Sequence, residues 1–200
     1  MEDLRLFIAK YLPTKRAEHC IRVSETAARL AKLHNGNVSV VQQAGILHDV
    51  CKTMTPDDIQ VEGVLEPDSM AAFYDMYPSV WHAAVAPNFV KSKLRLTDPA
   101  VLDAIQFHTT GKEAMTLETA IVYVADFIEP DRSGGLVTKC RQLAFENLDH
   151  AVFVVALSVL RNLVEKSRPI HPDSVMCFNH TYLKLSKKDR KELTRIVEKA

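Results

Sequence analysis

Four stretches with helical periodicity each turn a histidine or an aspartate toward an apolar face. His19 has Val23 and Ala27 at i+4 and i+8, and His48, joined directly to Asp49, follows Val41 and Ala44. His108 extends the stripe Val101, Ala104 and Ile105, and Asp126 sits among Val122, Tyr123, Ala125 and Phe127. A lone inward histidine is more often a hydrogen-bonded core residue than a ligand, so it is the conjunction that matters. Two aspartates and several imidazoles converging in an apolar interior share one remedy for the cost of burying charge, a divalent cation. Imidazole with carboxylate suits iron, manganese, zinc or cobalt better than calcium, and no cysteine cluster suggests a thiolate site. Asp49 could bridge two ions, leaving His82 and a further histidine for the second; two-metal sites activate water for attack on phosphorus.

The elements that must position these groups are helices. Six glycines and nine prolines break the chain, and they fall between stretches whose apolar residues recur at three and four. A short helix over 3–12 meets Pro13; Thr14 is then expected to cap a long helix that stops at His34-Asn35-Gly36, with the glycine ending it. Ser39 is expected to cap a helix over 40–52, and Thr55-Pro56-Asp57-Asp58 opens another. Helices over 68–76 and 79–93 follow. Asp98-Pro99 starts a helix ending near Thr109-Thr110-Gly111, and Thr116 starts one that runs to Glu129-Pro130. Residues 136–166 read as one long helix or a broken pair, before helices from Pro172 to Leu185 and at the basic C-terminus. No repeat or long linker separates domains, so a single all-α domain is expected over 1–200.

Composition narrows the partners. Lys+Arg 25 against Asp+Glu 25 gives zero formal charge, which argues against a dedicated nucleic-acid binder. The opening residues alternate charged with apolar types, and no segment is long and apolar enough to suggest a membrane span, so a cytoplasmic protein is expected. Cys20, Cys51, Cys140 and Cys177 are widely spaced and read as reduced, buried thiols. Neither a P-loop nor a dinucleotide-type glycine motif occurs, so phosphate must be held some other way. In the C-terminal helix, over 187–199, acidic residues interleave with lysine and arginine, as on a solvated face.

Five strings make the histidine–aspartate pair specific: R-x-x-H at 16–19, A-G-I-L-H-D-V-C-K at 44–52, A-I-Q-F-H-T-T-G at 104–111, V-A-D-F-I-E-P-D-R at 124–132 and R-P-I-H-P-D at 168–173. Together they resemble the HD-domain metal-dependent phosphohydrolases, and within them the YqeK-like symmetrical diadenosine tetraphosphatases, over about 12–185. The resemblance implies an all-helical bundle holding a dinuclear, usually iron, centre that cleaves diadenosine tetraphosphate into two ADP. It implies His19, His48, Asp49 and Asp126 around one metal, with Asp49 bridging and His82 and His108 completing the other. A water held by both ions would be the nucleophile, and Lys52 would neutralise phosphate oxygens. Arg16, Thr109, Gly111 and Arg132 would contact the nucleotide, with Arg132 ranked ahead of Glu129; His171 and Pro172 are read as structural, and Trp81 as core.

One segment departs from the family. Where relatives commonly show glycine-rich L-H-G-P-V-G-A, this chain reads Trp81-His82-Ala83-Ala84-Val85-Ala86-Pro87. Each alanine adds a methyl where backbone could approach a metal, and Pro87 removes an amide donor, so His82 is expected to sit in a different local setting. Three alternatives stand beside the tetraphosphatase reading: hydrolysis of another nucleotide or phosphate ester, a di-iron oxygenase on the same scaffold, and a silent helical interaction module. A homodimer is the assembly considered.

Overall fold

A computed structural model describes residues 1–64 and 69–199, and among them there are twelve helices and no strand. They are α1 (Glu2–Ile8), α2 (Thr14–His34), α3 (Val38–Leu47), α4 (Pro56–Val61), α5 (Ser69–Met76), α6 (Trp81–Leu94), α7 (Pro99–Phe107), α8 (Leu117–Ile128), α9 (Gly135–Glu146), α10 (Leu148–Glu165), α11 (Pro172–Lys184) and α12 (Lys187–Glu198). The all-α expectation holds. The start expected at Asp68 lies outside the described residues, and 136–166 is the broken pair. Asn147 makes the break: it ends α9 in an extended conformation and its side chain accepts the His150 N–H to begin α10.

Helix ends follow cap chemistry, with four corrections. Thr55 and Asp58 form a capping box, Asp98 accepts from Ala100 N–H, and Thr116 accepts from Thr119 N–H, as their positions suggest. Thr14, however, is the first helical residue of α2, behind Pro13, and its hydroxyl caps nothing. The stop after His34 is made by Asn35 rather than Gly36: Asn35 takes the left-handed conformation at φ 60°, which asparagine tolerates better than most residues. Asn37, not Ser39, caps α3, because its carboxamide oxygen reaches the N–H groups of Ser39 and Val40; α3 therefore starts at Val38. It also ends at Leu47 instead of Lys52, and the next residues continue in tighter i to i+3 turns, Val50 to Leu47 and Lys52 to Asp49.

A continuous core runs from Ile8 to Val197. Helix α2 packs on α3 and α8, α3 on α7, and α7 on α6 and α8, while α10 joins α8 and α9 to α11 and α12. Trp81 is buried, edge-on to Tyr74, as a core residue. Among the described residues no helix is long and apolar enough to cross a membrane.

Helices α2 and α3 approach each other closely at Gly45. A Cβ there would stand 2.8 Å from Ser24 Cα and 3.0 Å from Ser24 N, both backbone atoms that cannot swing aside. Gly45 also accepts a hydrogen bond from His48 Nδ1 at 2.8 Å, so helix spacing and imidazole orientation are tied together. Gly45→Ala is expected to cost about 1–3 kcal/mol by overpacking, which lowers the unfolding temperature by roughly 2–4 °C per kcal/mol. A thermal melt within one degree of the parent would show that the two helices separate freely there.

Candidate metal centre

The tight turn after α3 lets two consecutive residues aim at one place. His48 and Asp49 are both buried, and around them His19 arrives from α2, His82 from the first turn of α6, His108 from the end of α7 and Asp126 from α8. The six form two groups that share Asp49. On one side His19 Nε2 lies 3.0 Å from Asp126 Oδ1 and 3.9 Å from Asp49 Oδ2, and His48 Nε2 lies 3.5 Å from Asp49 Oδ2 and 3.9 Å from Asp126 Oδ1. On the other, Asp49 Oδ1 is 3.0 Å from His82 Nε2 and 3.5 Å from His108 Nε2. Sets of nitrogen and oxygen atoms 3–4 Å apart can share a cation whose ligand bonds are about 2 Å long.

A test of fit lies in the ring nitrogens. His48 Nδ1 donates to the Gly45 carbonyl and His108 Nδ1 to the Ile105 carbonyl at 2.7 Å, which directs each Nε2 lone pair inward. His19 Nδ1 is held at 3.1 Å by Glu129 Oε1, a carboxylate–imidazole pair of the kind that orients metal ligands. Among the described residues, His19 Nε2 and His48 Nε2 are buried without a hydrogen-bond partner. Buried polar atoms are rarely left so, and a divalent metal would satisfy both.

Electrostatics agree. Burial pushes the His48 imidazole down to about 4 and that of His82 to about 3, against the partial opposition of Asp49, so both are neutral at pH 7, the form in which an imidazole can bind a metal. Burial would raise the Asp49 carboxyl, but the neighbouring imidazoles of His48, His108 and His82, with Lys52 nearby, hold it well below the usual carboxylate range. Asp126 is likewise held below it, against burial, by His19 and His48.

These shifts fix how the metal-free protein responds to acid. A group whose folded pKa is depressed contributes stability above its unfolded pKa and loses it as pH falls toward the folded value. For His48 and His82 that window runs from about 6.5 down to about 4 and 3, where the unfolded chain takes up protons that the fold refuses. Each is expected to remove roughly 2 kcal/mol by pH 5. Below about pH 4 the two carboxylates add a second loss of the same sign. The metal-free unfolding temperature should therefore be several degrees lower at pH 5 than at pH 7.5; equal values would mean these imidazoles are charged inside the fold.

The remaining expected site residues divide. Arg16 Nη1 is 3.0 Å from Asp49 Oδ2 and Arg132 Nη2 is 3.1 Å from Asp126 Oδ1, both half-exposed at the rim. Lys52 Nζ is 3.1 Å from His82 Nε2 and 3.5 Å from Asp49 Oδ1. Thr109 lines a cavity of about 330 Å³ with His108, Tyr123, Asp126, Phe127 and Arg132, and its hydroxyl is buried without a hydrogen-bond partner among the described residues. Gly111 is not brought to this cavity. It takes φ 62°, and a Cβ on it would meet Cys177 Sγ at 2.5 Å, so its role is close packing against α11. His171 is structural as expected, since its Nδ1 accepts the Asp173 N–H to begin α11.

Glu129, Arg22 and Arg141 support the centre, residues that the sequence did not single out or ranked low. Glu129 is buried and accepts from Arg22 Nε at 2.7 Å and from Asp131 N–H at 2.9 Å while holding His19. Arg141 donates to the carbonyls of Ile128, Glu129 and Arg132 and so fixes the turn that carries them. Loss of such supporting partners typically weakens metal binding 10–100-fold. Glu129→Gln, which removes the charge facing His19 Nδ1 and Arg22, is expected to do so in a manganese titration by calorimetry; an unchanged isotherm would reduce Glu129 to a cap on its turn.

The HD domain family model matches residues 16–131, the span that contains all six residues of the centre. This chain belongs to the HD-domain family. Over 184 residues it is 30% identical to the symmetrical bis(5'-nucleosyl)-tetraphosphatase of Staphylococcus aureus, covering 90% of this chain and 93% of that one. It is 32% identical over 179 residues to the enzyme of the same name from Halalkalibacterium halodurans, covering 88% and 94%. The Bacillus subtilis relative, again of that name, is 30% identical over 178 residues, covering 89% and 95%. A crystal structure from Clostridium acetobutylicum, described as a predicted HD superfamily hydrolase involved in NAD metabolism, superposes with a TM-score of 0.80 at 26% identity, covering 92% of this chain and 97% of that one. The chain therefore has the HD-domain fold, together with histidine and aspartate groups that could hold a divalent metal.

Proposed function

We propose that this HD-domain protein cleaves diadenosine tetraphosphate symmetrically into two ADP at a dinuclear centre, with iron as the native metal. The observation that carries the reading is Asp49, whose two oxygens face two separate donor groups, in a chain similar along most of its length to symmetrical tetraphosphatases. His19, His48, Asp49 and Asp126 hold one metal, and Asp49, His82 and His108 the other. When bound, such metals supply Lewis acidity: they stabilise charge on the transferring phosphoryl group and lower the pKa of water.

The chain's own groups do the rest. Arg16 and Arg132 stand at the rim with free donors for phosphate oxygens, and an arginine fork suits them. Lys52 offers a third cation, so a tetraphosphate meets charge on several sides. Thr109 has a hydroxyl free to bond substrate, beside a cavity of about 330 Å³ that suits one nucleoside. The chain acts as one domain, a core over 12–185 with α12 appended, and its balanced charge suits a cytoplasmic enzyme of small nucleotides, as does the absence among the described residues of a helix long and apolar enough to cross a membrane.

Product analysis tests this reading. Protein purified under low oxygen and reloaded with iron or manganese, given diadenosine tetraphosphate, is expected to yield ADP alone on ion-exchange chromatography. ATP plus AMP, no turnover, or oxygen uptake in its place would overturn it.

A further inference from the structure

The second donor group already holds a cation of the protein's own. His108 spends its Nδ1 proton on the Ile105 carbonyl, so its Nε2 is an acceptor when the ring is neutral. That atom lies 3.1 Å from His82 Nε2 and 3.5 Å from Asp49 Oδ1. Lys52 Nζ lies 3.1 Å from His82 Nε2. An ammonium has donors only, so in the tautomer that accepts from Lys52 His82 Nε2 presents its lone pair. Two lone pairs and a carboxylate oxygen then face one another across about 3 Å, an arrangement that needs positive charge among them. Lys52 supplies it, 3.5 Å from Asp49 Oδ1.

The first group is different. Arg16 and Arg132 lean on its carboxylates, but the Nε2 atoms of His19 and His48 are claimed by no hydrogen-bond donor among the described residues. A metal can enter there without evicting a donor from an imidazole. At the second group, a divalent ion would have to take the lone pair that Lys52 holds and stand beside an ammonium of like charge. Lys52 has a way out, because its side chain is 32% exposed and rides on a flexible four-carbon stem.

We propose that Lys52 occupies the second cation position when one metal is bound, and that the second metal loads only by displacing this ammonium toward solvent. The proposal rests on the metal-centre reading and not on which phosphate bond is cleaved. It makes the two positions unequal by construction, with the second the weaker, and it frees a cation at the mouth of the site as the second ion arrives.

Manganese binding to the full chain, followed by calorimetry and by the spin-coupled signal of a manganese pair, tests it. The parent protein is expected to bind one ion tightly and a second more weakly. Lys52→Met should tighten the second step by about 5- to 150-fold, the range of ordinary coupling between sites, and leave the first unchanged. Lys52→Arg, which keeps the charge, should leave the second step weak, and Lys52→Gln serves if the methionine variant fails to accumulate. To separate displacement from simple repulsion, the parent is pulsed with limiting acetic anhydride along the titration and Lys52 acetylation is read by mass spectrometry. Acetylation should stay low through the first equivalent of manganese and rise with the second. A second-step affinity unchanged or weakened in Lys52→Met, or a Lys52 reactivity flat across both equivalents, would overturn the proposal; because neither readout involves turnover, a failed tetraphosphatase assay would leave it intact.

Discussion

Asp49→Ala is expected to abolish nucleotide hydrolysis, with a fall beyond about 10³-fold, more than the loss of one transition-state hydrogen-bond donor costs. The size follows from the shared carboxylate. Its Oδ2 belongs with His19, His48 and Asp126, and its Oδ1 belongs with His82 and His108, so one truncation strips a ligand from both groups. Bound metal should fall with activity, to less than one ion per chain. His82→Ala provides the contrast, because it touches the second group alone and should leave one tightly bound ion. Metal content by elemental analysis, with ADP release on the same samples, checks the pair. Turnover in Asp49→Ala within tenfold of the parent would remove this centre from the chemistry.

Chelation of the metal at neutral pH should lower the unfolding temperature by on the order of 10 °C. Asp49 and Asp126 stay ionised inside the bundle, and two imidazole nitrogens there have no hydrogen-bond partner among the described residues. A ligand at about 1,000 times its dissociation constant stabilises the fold by about 4 kcal/mol, and a domain of this size shifts by roughly 2–4 °C per kcal/mol. Differential scanning calorimetry before and after chelation, with manganese added back to restore the value, measures it. An unfolding temperature indifferent to chelator would mean that the buried carboxylates are neutralised by Arg16, Arg132 and Lys52 alone.

The convergence of His19, His48, His108 and Asp126 was legible because helical spacing placed each on an apolar face, where burial is costly without a shared charge; Asp49 entered as the neighbour of His48, and no such face marked His82. The support of the centre was not legible. Glu129 meets Arg22 and His19 across 107 and 110 residues, and nothing local in the sequence marks either pairing. Gly111 misled for the opposite reason: Thr-Thr-Gly beside His108 looks like a phosphate contact, whereas the glycine answers to Cys177 on a helix far along the chain. Helix identity was similarly easier to read than helix ends. Asn35 and Asn37 outcompeted the neighbouring glycine and serine because asparagine both tolerates left-handed backbone and reaches two amides.

The four cysteines have a consequence for how this protein can be watched. None is in a disulfide and all are buried, and burial raises the thiols of Cys140 and Cys177 to about 12 and that of Cys20 higher still. A protonated thiol shut in the core reacts with an alkylating reagent only when the surrounding structure opens. The chain thus carries its own clocks: Cys20 on α2 next to His19, Cys140 on α9 and Cys177 against Gly111 on α11. Their labelling rates in the native protein would time the opening of three regions separately, with no probe added and no residue changed.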